Sequence, residues 1–250
     1  IVAGQSNPFG MKSFVEAEAG LYIFVGVTNS GKSSSLACVI NEIKNRYAKK
    51  IITIEAPVEQ IHDHGKSMVI QREIGVDVDS FEIGIEDAMR EAPDVIMVGE
   101  MRDAETMQMA LRAATSGHVV FTTLHAMSTA DAPMRILDSM PADRVSEARA
   151  MLSRTLKAVV YQKLLPKRGG EGRALAVEVL NIDPAISNMI RTDNLEGIAG
   201  KLNDRELGNI PFEASLAGLV QAGDVTEATA RANEIKPDSF DRAYKAGRIN

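Results

Sequence analysis

A short glycine-rich segment has the residue types and spacing of a phosphate-binding loop. Residues 26–33 have the sequence GVTNSGKS, which fits the pattern G-x-x-x-x-G-K-[ST]. In such a loop, small residues let successive backbone N–H groups turn inward around a polyphosphate, and the next helix adds the positive end of its dipole. Lys32 would reach the β- and γ-phosphates, and the Ser33 hydroxyl would ligate Mg²⁺. We therefore predict a nucleotide site formed by Gly26, Thr28, Asn29, Ser30, Gly31, Lys32, Ser33 and Ser34.

An ordinary glycine-rich turn is the alternative interpretation of this segment. The flanking sequence favours the nucleotide site, because residues 21–25 (LYIFV) are typical of a buried strand and residues 33–47 are typical of a helix. A strand before the loop and a helix after it are the context in which this pattern binds phosphate.

Two carboxylates follow predicted strands. Residues 95–100 (VIMVGE) resemble a Walker B strand, with Gly99 where many nucleotide hydrolases have a metal-binding aspartate. Glu100 would then be the acid beside Mg²⁺, acting through water. Glu59 lies just beyond the strand at residues 51–55, where a carboxylate could polarise the attacking water. A solvated surface charge is the alternative for each.

Three histidines are candidates for chemistry. His125 ends a predicted strand and could sense the γ-phosphate, although a lone histidine is more often a structural residue. His62 and His64 could form a metal pair, but a loop His-x-His without further ligands seldom binds metal, so we assign them none.

The elements that must position these residues alternate between strand and helix. Strands are predicted at residues 21–25, 51–55, 67–74, 94–99 and 118–123, and helices at 33–47, 81–89, 107–114, 130–139 and 144–156. Residues 158–165 and 173–181 predict two strands joined by a turn. This order indicates an α/β fold with a largely parallel sheet. Ligands of such sheets lie at the carboxyl ends of the strands, where the phosphate loop and residues 55–59, 99–103 and 122–125 should meet.

The composition limits the classes of protein to be considered. The chain has 250 residues, which allow one large domain: we predict a core at 1–182 that begins with a linker at 1–19, and a helical tail at 183–250. A net charge of −6 argues against nucleic-acid binding, and one cysteine excludes an internal disulfide. Because the chain begins at Ile1 rather than Met, we expect it to be part of a longer protein.

Several strings together resemble the PilT family of secretion ATPases, the type IV pilus retraction class, with DotB- and TraJ-type relatives in type IVB secretion and conjugation. The matching strings, besides the phosphate loop at 26–34, are IEAPVE at 54–59, QRE at 71–73, APD at 92–94, VGEMRD at 98–103, GH at 117–118 and TLH at 123–125. The GEMRD and TLH strings are far more specific than the phosphate loop.

The resemblance implies a RecA-like core that hydrolyses ATP with Mg²⁺. It implies Glu59 as the catalytic glutamate, Glu100 as the acid on the Mg²⁺ side and His125 as a sensor of the nucleotide state. It also implies a PAS-like domain upstream, a homohexameric ring, an inner-membrane platform protein as partner, and a place at the cytoplasmic face of the inner membrane. Arginines stabilise the charge that phosphoryl transfer develops. Of Arg72, Arg90, Arg102 and Arg112 we assign Arg102 to catalysis.

The chain departs from the family at several positions. Ala56 replaces an aspartate, Val27 and Asn29 replace a proline and a glycine of the loop, and Ser187 replaces an arginine in the tail string AISNMIR. Asparagine tolerates left-handed backbone angles, so the loop shape can be kept. The absence of the arginine at position 187 argues against pilus retraction but not against ATP hydrolysis. The lack of four cysteines argues against the zinc-bearing extension and type II secretion motors.

Three functions therefore remain open from the sequence. The favoured one is a ring ATPase that converts hydrolysis into mechanical work on a pilus or secretion machine. A RecA-like motor on nucleic acid is the second. The net charge of −6 and the lack of an evident aromatic-basic stretch in the sequence argue against it. A nucleotide-binding regulator with little hydrolysis is the third.

Overall fold

The computed structural model describes residues 12–204, 206–235 and 239–246. Its strands are β1 Gly20–Val25, β2 Lys50–Glu55, β3 Met68–Glu73, β4 Val95–Val98, β5 Val119–Leu124, β6 Leu156–Pro166 and β7 Arg173–Asn181. Its helices are α1 Lys12–Val15, α2 Lys32–Arg46, α3 Phe81–Arg90, α4 Ala104–Thr115, α5 Asp131–Asp138, α6 Val145–Thr155, α7 Pro184–Arg191, α8 Ile198–Lys201, α9 Phe212–Gln221, α10 Glu227–Arg231 and α11 Ser239–Ala246, with a 3₁₀ turn at Leu195–Gly197.

The seven strands form one sheet in the order β3-β2-β4-β5-β1-β6-β7. Neighbouring strands are parallel from β3 through β6, and only the hairpin of β6 and β7 is antiparallel. The predicted α/β fold with a largely parallel sheet is therefore confirmed. Continuous apolar runs form such strands because helices cover both faces of the sheet.

The strand β1 shows how one apolar run serves two faces. Leu21, Ile23 and Val25 join the core on one side of the sheet, whereas Tyr22 and Phe24 join the core on the other. Side chains alternate between faces along a strand, so a run that is apolar at every position is buried on both sides. This double burial fixes the strand whose carboxyl end carries the phosphate-loop sequence.

The predicted linker at residues 1–19 differs from the structure in its later part. Lys12–Val15 is a short helix, and Phe14 packs its ring 5.7 Å from that of Tyr22 and 5.8 Å from that of Phe24, between ring centroids. The polar and glycine-rich composition before Phe14 suggested a linker, but burial of this one aromatic side chain anchors the segment to β1. The linker prediction for residues 1–11 lies outside the described residues.

The predicted C-terminal tail is helical and packs closely on the sheet. Ile186, Ile190, Phe212 and Phe240 are buried in the same core cluster as Leu21 of β1. The N–H groups of Val179 in β7 and Ile210 each donate to the other residue's carbonyl oxygen at 2.9 Å. The helices therefore extend the core of the sheet domain. None of the helices in the described ranges has the length and hydropathy that crossing a membrane would require.

Candidate active site

The loop between β1 and α2 adopts backbone angles that its residue types permit. Gly26, Asn29 and Gly31 have φ angles of +148°, +62° and +90°. Positive φ is costly for most residues with a Cβ, but asparagine tolerates it. Asn29 therefore keeps the left-handed turn at this position, as its residue type predicts.

The side chain of Lys32, the first residue of α2, folds back over the loop. Its Nζ donates hydrogen bonds to the carbonyl oxygens of Gly26 at 2.9 Å and Val27 at 3.0 Å. Burial lowers the pKa of Lys32, and the negative charge of Glu100 acts in the opposite direction. The ammonium group is thus held against the loop backbone and within the field of a carboxylate.

Gly26 lies against β6, and we expect alanine at this position to destabilise the protein. An added Cβ would lie 2.5 Å from the carbonyl oxygen of Gln162 and 2.6 Å from Ser30 Oγ, on a backbone with φ of +148°. Strained backbone of this kind costs about 1–3 kcal/mol. The free energy of unfolding, measured by urea denaturation, should fall by at least that amount in Gly26→Ala.

Gly169, in the turn between β6 and β7, provides the matched control. The position of its Cβ has open space around it, and its φ is not in the left-handed region. Gly169→Ala should unfold at the urea concentration that unfolds the wild type. If Gly26→Ala were as stable as Gly169→Ala, the described approach of β6 to the loop would be wrong.

The loop opens into a cavity of about 510 Å³ at the carboxyl edge of the parallel strands. The four segments that the sequence placed at this edge all contribute to its wall, which confirms that they meet. Gly26 lies behind the wall, where its carbonyl accepts from Lys32. The predicted site residues on the wall are Thr28, Asn29, Ser30, Gly31, Lys32, Ser33, Ser34, Glu59, Glu100, Arg102 and His125.

Glu100 follows β4 and lies against two basic side chains. Its Oε1 lies 2.9 Å from His125 Nε2, and its Oε2 accepts a hydrogen bond from Arg102 Nε at 2.7 Å. The strand ends are held together because Thr123 Oγ1 donates to the carbonyl oxygen of Gly99 at 2.7 Å. One mostly buried carboxylate therefore connects the segments after β4 and β5, and a change at its oxygens would reach both Arg102 and His125.

Gly99 stands where many nucleotide hydrolases have an aspartate, and it lies against β2. A Cβ on Gly99 would lie 3.4 Å from Glu55 Cα and 3.4 Å from the carbonyl oxygen of Ile54, which is ordinary van der Waals contact. Glu100, the next residue, reaches the cavity wall.

The two glutamates at the end of β2 have different surroundings. Glu55 is buried, and its Oε1 accepts hydrogen bonds from Thr53 Oγ1 at 2.7 Å and Gln71 Nε2 at 3.1 Å. Glu59 is exposed, and both glutamates line the cavity. A carboxylate engaged in two structural hydrogen bonds is poorly suited to accept a proton from water, so Glu59 is the better candidate for that role.

Comparison with known proteins identifies the family. The family model described as Type II/IV secretion system protein matches residues 5–169. The chain belongs to this family.

Similar proteins confirm the family resemblance that the motifs predicted. The type IV pilus ATPase PilU of Pseudomonas aeruginosa is 40% identical over 238 residues, which cover 95% of this chain and 62% of that protein. The type IV pilus retraction ATPase PilT of the same organism is 39% identical over 230 residues, which cover 92% of this chain and 67% of that protein.

Two solved structures extend the comparison to the fold of this secretion-system protein. The pilus retraction motor PilT with bound ADP matches with a TM-score of 0.83 at 40% identity, over 92% of this chain and 65% of that one. The ATPase DotB of Legionella pneumophila matches with a TM-score of 0.82 at 26% identity, over 92% and 64% of the two chains. The chain spans about two thirds of the length of these relatives.

Two arginines of this family member lie on the cavity wall. Arg102 was predicted from the sequence, whereas Arg173, the first residue of β7, was not. The hairpin of β6 and β7 was predicted, but its place beside the phosphate loop depends on the pairing of β6 with β1. Leu164 of β6 reaches the same wall, 3.5 Å from the position of a Cβ on Gly31.

The other arginine candidates lie elsewhere. Arg72 forms an ion pair with Glu91, and Lys50 Nζ lies 3.1 Å from the second carboxylate oxygen of Glu91. The hydrogen bonds from Arg72 and Lys50 lower the pKa of Glu91. Arg90 pairs with acidic neighbours on α3. Neither Arg72, Arg90 nor Arg112 is among the residues that line the cavity.

The environments of His62 and His64 give no sign of a metal site within the described residues. His64 Nδ1 accepts a hydrogen bond from the backbone N–H of Val69 at 3.2 Å. His62 is buried, and burial lowers its pKa together with the nearby charge of Lys44. No cluster of three or more histidine, cysteine or acidic residues that could hold a metal lies within the described ranges.

A magnesium ion bound with a nucleotide needs fewer protein ligands than such a cluster supplies. Mg²⁺ retains several waters and is usually held by one or two side chains together with phosphate oxygens. Ser33 and Glu100 lie on the same cavity wall as the loop that would hold the phosphates. A hydroxyl in the first turn of α2 and a carboxylate across from it fit this donor set.

Proposed function

We propose that this chain hydrolyses ATP at the cavity and acts as a ring-forming motor of a type IV pilus or a related type IVB secretion or conjugation system. The observation that supports this most is the convergence of Lys32, Glu59 and Glu100 on one wall at the carboxyl edge of the sheet. Similarity to a type IV pilus ATPase and to a pilus retraction ATPase supports the wider function.

In the proposed reaction, each side chain has a separate task. Backbone N–H groups of the loop and the Lys32 ammonium bind the β- and γ-phosphates, and Glu59 orients and polarises the attacking water. Ser33 would ligate Mg²⁺, and Glu100 would contact it through water. The ion would neutralise charge that develops on the phosphate oxygens. His125, whose Nε2 lies 2.9 Å from Glu100 Oε1, would respond to the state of the nucleotide.

The supply of positive charge supports a ring. The transferred phosphoryl group spreads negative charge over three oxygens, and in GTPases an arginine supplied in trans is worth about 10³–10⁵ in rate. Arg102 already donates to Glu100, which leaves Arg173 as the other arginine on the described cavity wall. We propose a homohexamer at the cytoplasmic face of the inner membrane, with an inner-membrane platform protein as partner and a PAS-like domain contributing further arginines.

The test is specific activity as a function of protein concentration. Phosphate release from saturating Mg-ATP should rise steeply as the chain assembles, and more so when the protein is extended to the length of its relatives. Mass photometry on the same samples gives the oligomeric state, and single-stranded DNA should have no effect on the rate. A monomer with high turnover at every concentration would contradict the ring.

A further inference from the structure

The segment that carries Glu59 is held by the neighbouring edge strand. We call residues 56–62 the acidic loop. The N–H of Val58 donates to Glu73 Oε2 at 2.9 Å, the carbonyl oxygen of Gln60 accepts from Gln71 Nε2 at 2.9 Å, and the N–H of His62 donates to Gln71 Oε1 at 2.7 Å. Glu59 therefore lies between two residues whose backbones are tied to β3.

Gln71 also reaches the residue that precedes the acidic loop. Its Nε2 makes a second hydrogen bond, to Glu55 Oε1 at 3.1 Å, so one amide group connects both ends of the loop. These partners define the orientation of the amide. A reversed amide would place its oxygen against two acceptors and its N–H group against the N–H of His62.

The strand that supplies these side chains is itself well fixed. Thr53 and Glu55 of β2 are in parallel register with Gln71 and Glu73 of β3. Beyond the strand end, Asp77 Oδ2 accepts from the N–H of Glu73 at 2.8 Å, and the N–H of Asp77 donates to the carbonyl oxygen of Glu73 at 2.9 Å. Groups built on a strand hold their geometry better than groups on a loop.

The acidic loop has little apolar burial that could position it instead. Its residues at positions 56, 57, 59, 60 and 61 are all exposed, and Ile61 is 83% exposed. Segments with few buried apolar contacts open at low cost unless hydrogen bonds hold them. The three hydrogen bonds to β3 are therefore the contacts that can fix where Glu59 points.

We propose that Gln71 and Glu73 are positioning residues for Glu59. They hold the backbone on both sides of it, so that the Glu59 carboxylate stays on the cavity wall at the distance that the attacking water requires. The proposal rests on the proposed function, in which Glu59 activates that water. Misplacing a reacting group by about 1 Å can lower a rate by about 10²-fold.

The main test is a double-mutant cycle in the full chain. Gln71→Met keeps the side-chain length and removes the three hydrogen bonds of the amide, to Glu55, Gln60 and His62. We expect kcat for ATP hydrolysis to fall by about 10²-fold, with the dissociation constant for a fluorescent ATP analogue nearly unchanged. If Gln71 acts through Glu59, the variant Gln71→Met/Glu59→Gln should be no slower than Glu59→Gln alone.

A pair of substitutions at Glu73 tests the second anchor without altering Gln71. Glu73→Gln keeps an oxygen that accepts from the N–H of Val58, so its kcat should stay near that of the wild type. Glu73→Leu lacks an acceptor and should lose about tenfold or more. Met68→Ala, at the other end of β3 and exposed, is the control, and thermal melting of each variant checks that the fold is intact.

The outcomes separate the two proposals. If Glu59→Gln loses turnover while Gln71→Met and Glu73→Leu keep wild-type kcat, the positioning role is overturned and the proposed function stands. The positioning role is also overturned if the double variant is slower than Glu59→Gln by the full factor that Gln71→Met loses alone, because Gln71 would then act independently of Glu59. If the wild type does not hydrolyse ATP, or Glu59→Gln is fully active, the function assigned to the site is wrong. If Gln71→Met does not fold, the comparison of kcat between Glu73→Leu and Glu73→Gln still tests the positioning role.

Discussion

Substitution of Lys32 by alanine should abolish ATP hydrolysis by this chain. In the proposed reaction the ammonium group is the cation that the phosphate loop presents to the β- and γ-phosphates, and its charge would favour the transition state in which those oxygens become more negative. Loss of one such donor typically lowers kcat by about 10²–10³-fold. ATP should also bind more weakly. Steady-state phosphate release and titration with a fluorescent nucleotide measure the two effects.

The structure adds a second consequence of this substitution. Lys32 Nζ donates to the carbonyl oxygens of Gly26 and Val27, and an unsatisfied buried acceptor costs about 1–3 kcal/mol. Lys32→Ala should therefore melt at a lower temperature, and activity must be measured where it is still folded. Lys66→Ala, at an exposed lysine, is the control and should match the wild type in both rate and melting. Wild-type turnover in Lys32→Ala would rule out this loop as the phosphate site.

Glu59→Gln should separate binding from chemistry. The amide keeps the size of the side chain but cannot take a proton from water, and general-base groups contribute about 10²–10⁴-fold to a rate. We expect kcat to fall within that range while Mg-ATP still binds. Because Glu59 is exposed, stability should change by less than about 0.5 kcal/mol.

Glu55→Gln is the comparison that makes this result specific. Glu55 is buried and accepts hydrogen bonds from Thr53 and Gln71 at one oxygen. A glutamine keeps that accepting oxygen, so Glu55→Gln should hydrolyse ATP at nearly the wild-type rate. Full activity in Glu59→Gln together with lost activity in Glu55→Gln would assign the base to Glu55 instead.

The sequence predicted the centre of the site because its signals are local. The phosphate loop lies within eight residues, and its flanking strand and helix have clear hydrophobic patterns. The rule that ligands lie at the carboxyl ends of parallel strands then placed Glu59, Glu100 and His125 at the same edge. Gly99 is a departure from the usual aspartate for which the structure shows no steric reason, since a Cβ there would make only ordinary contacts.

Features that depend on strand order were not predictable. Arg173 reaches the cavity because β6 pairs with β1 and brings the hairpin beside the loop. Gln71 was noted only as part of a matching string, since its contacts with Gln60 and His62 require β3 to lie next to β2. Burial of Phe14 and of the C-terminal helices likewise results from tertiary packing, which residue patterns alone do not specify.

The most direct test of the account is the nucleotide found in the cavity after incubation with Mg-ATP. Structures of the wild type and of Glu59→Gln would be determined from the same preparation. We predict ADP in the wild type and intact ATP in the variant, with Lys32 Nζ moved from the carbonyls of Gly26 and Val27 to the phosphates. Intact ATP in both proteins, or a phosphate loop that holds no nucleotide in either, would contradict it.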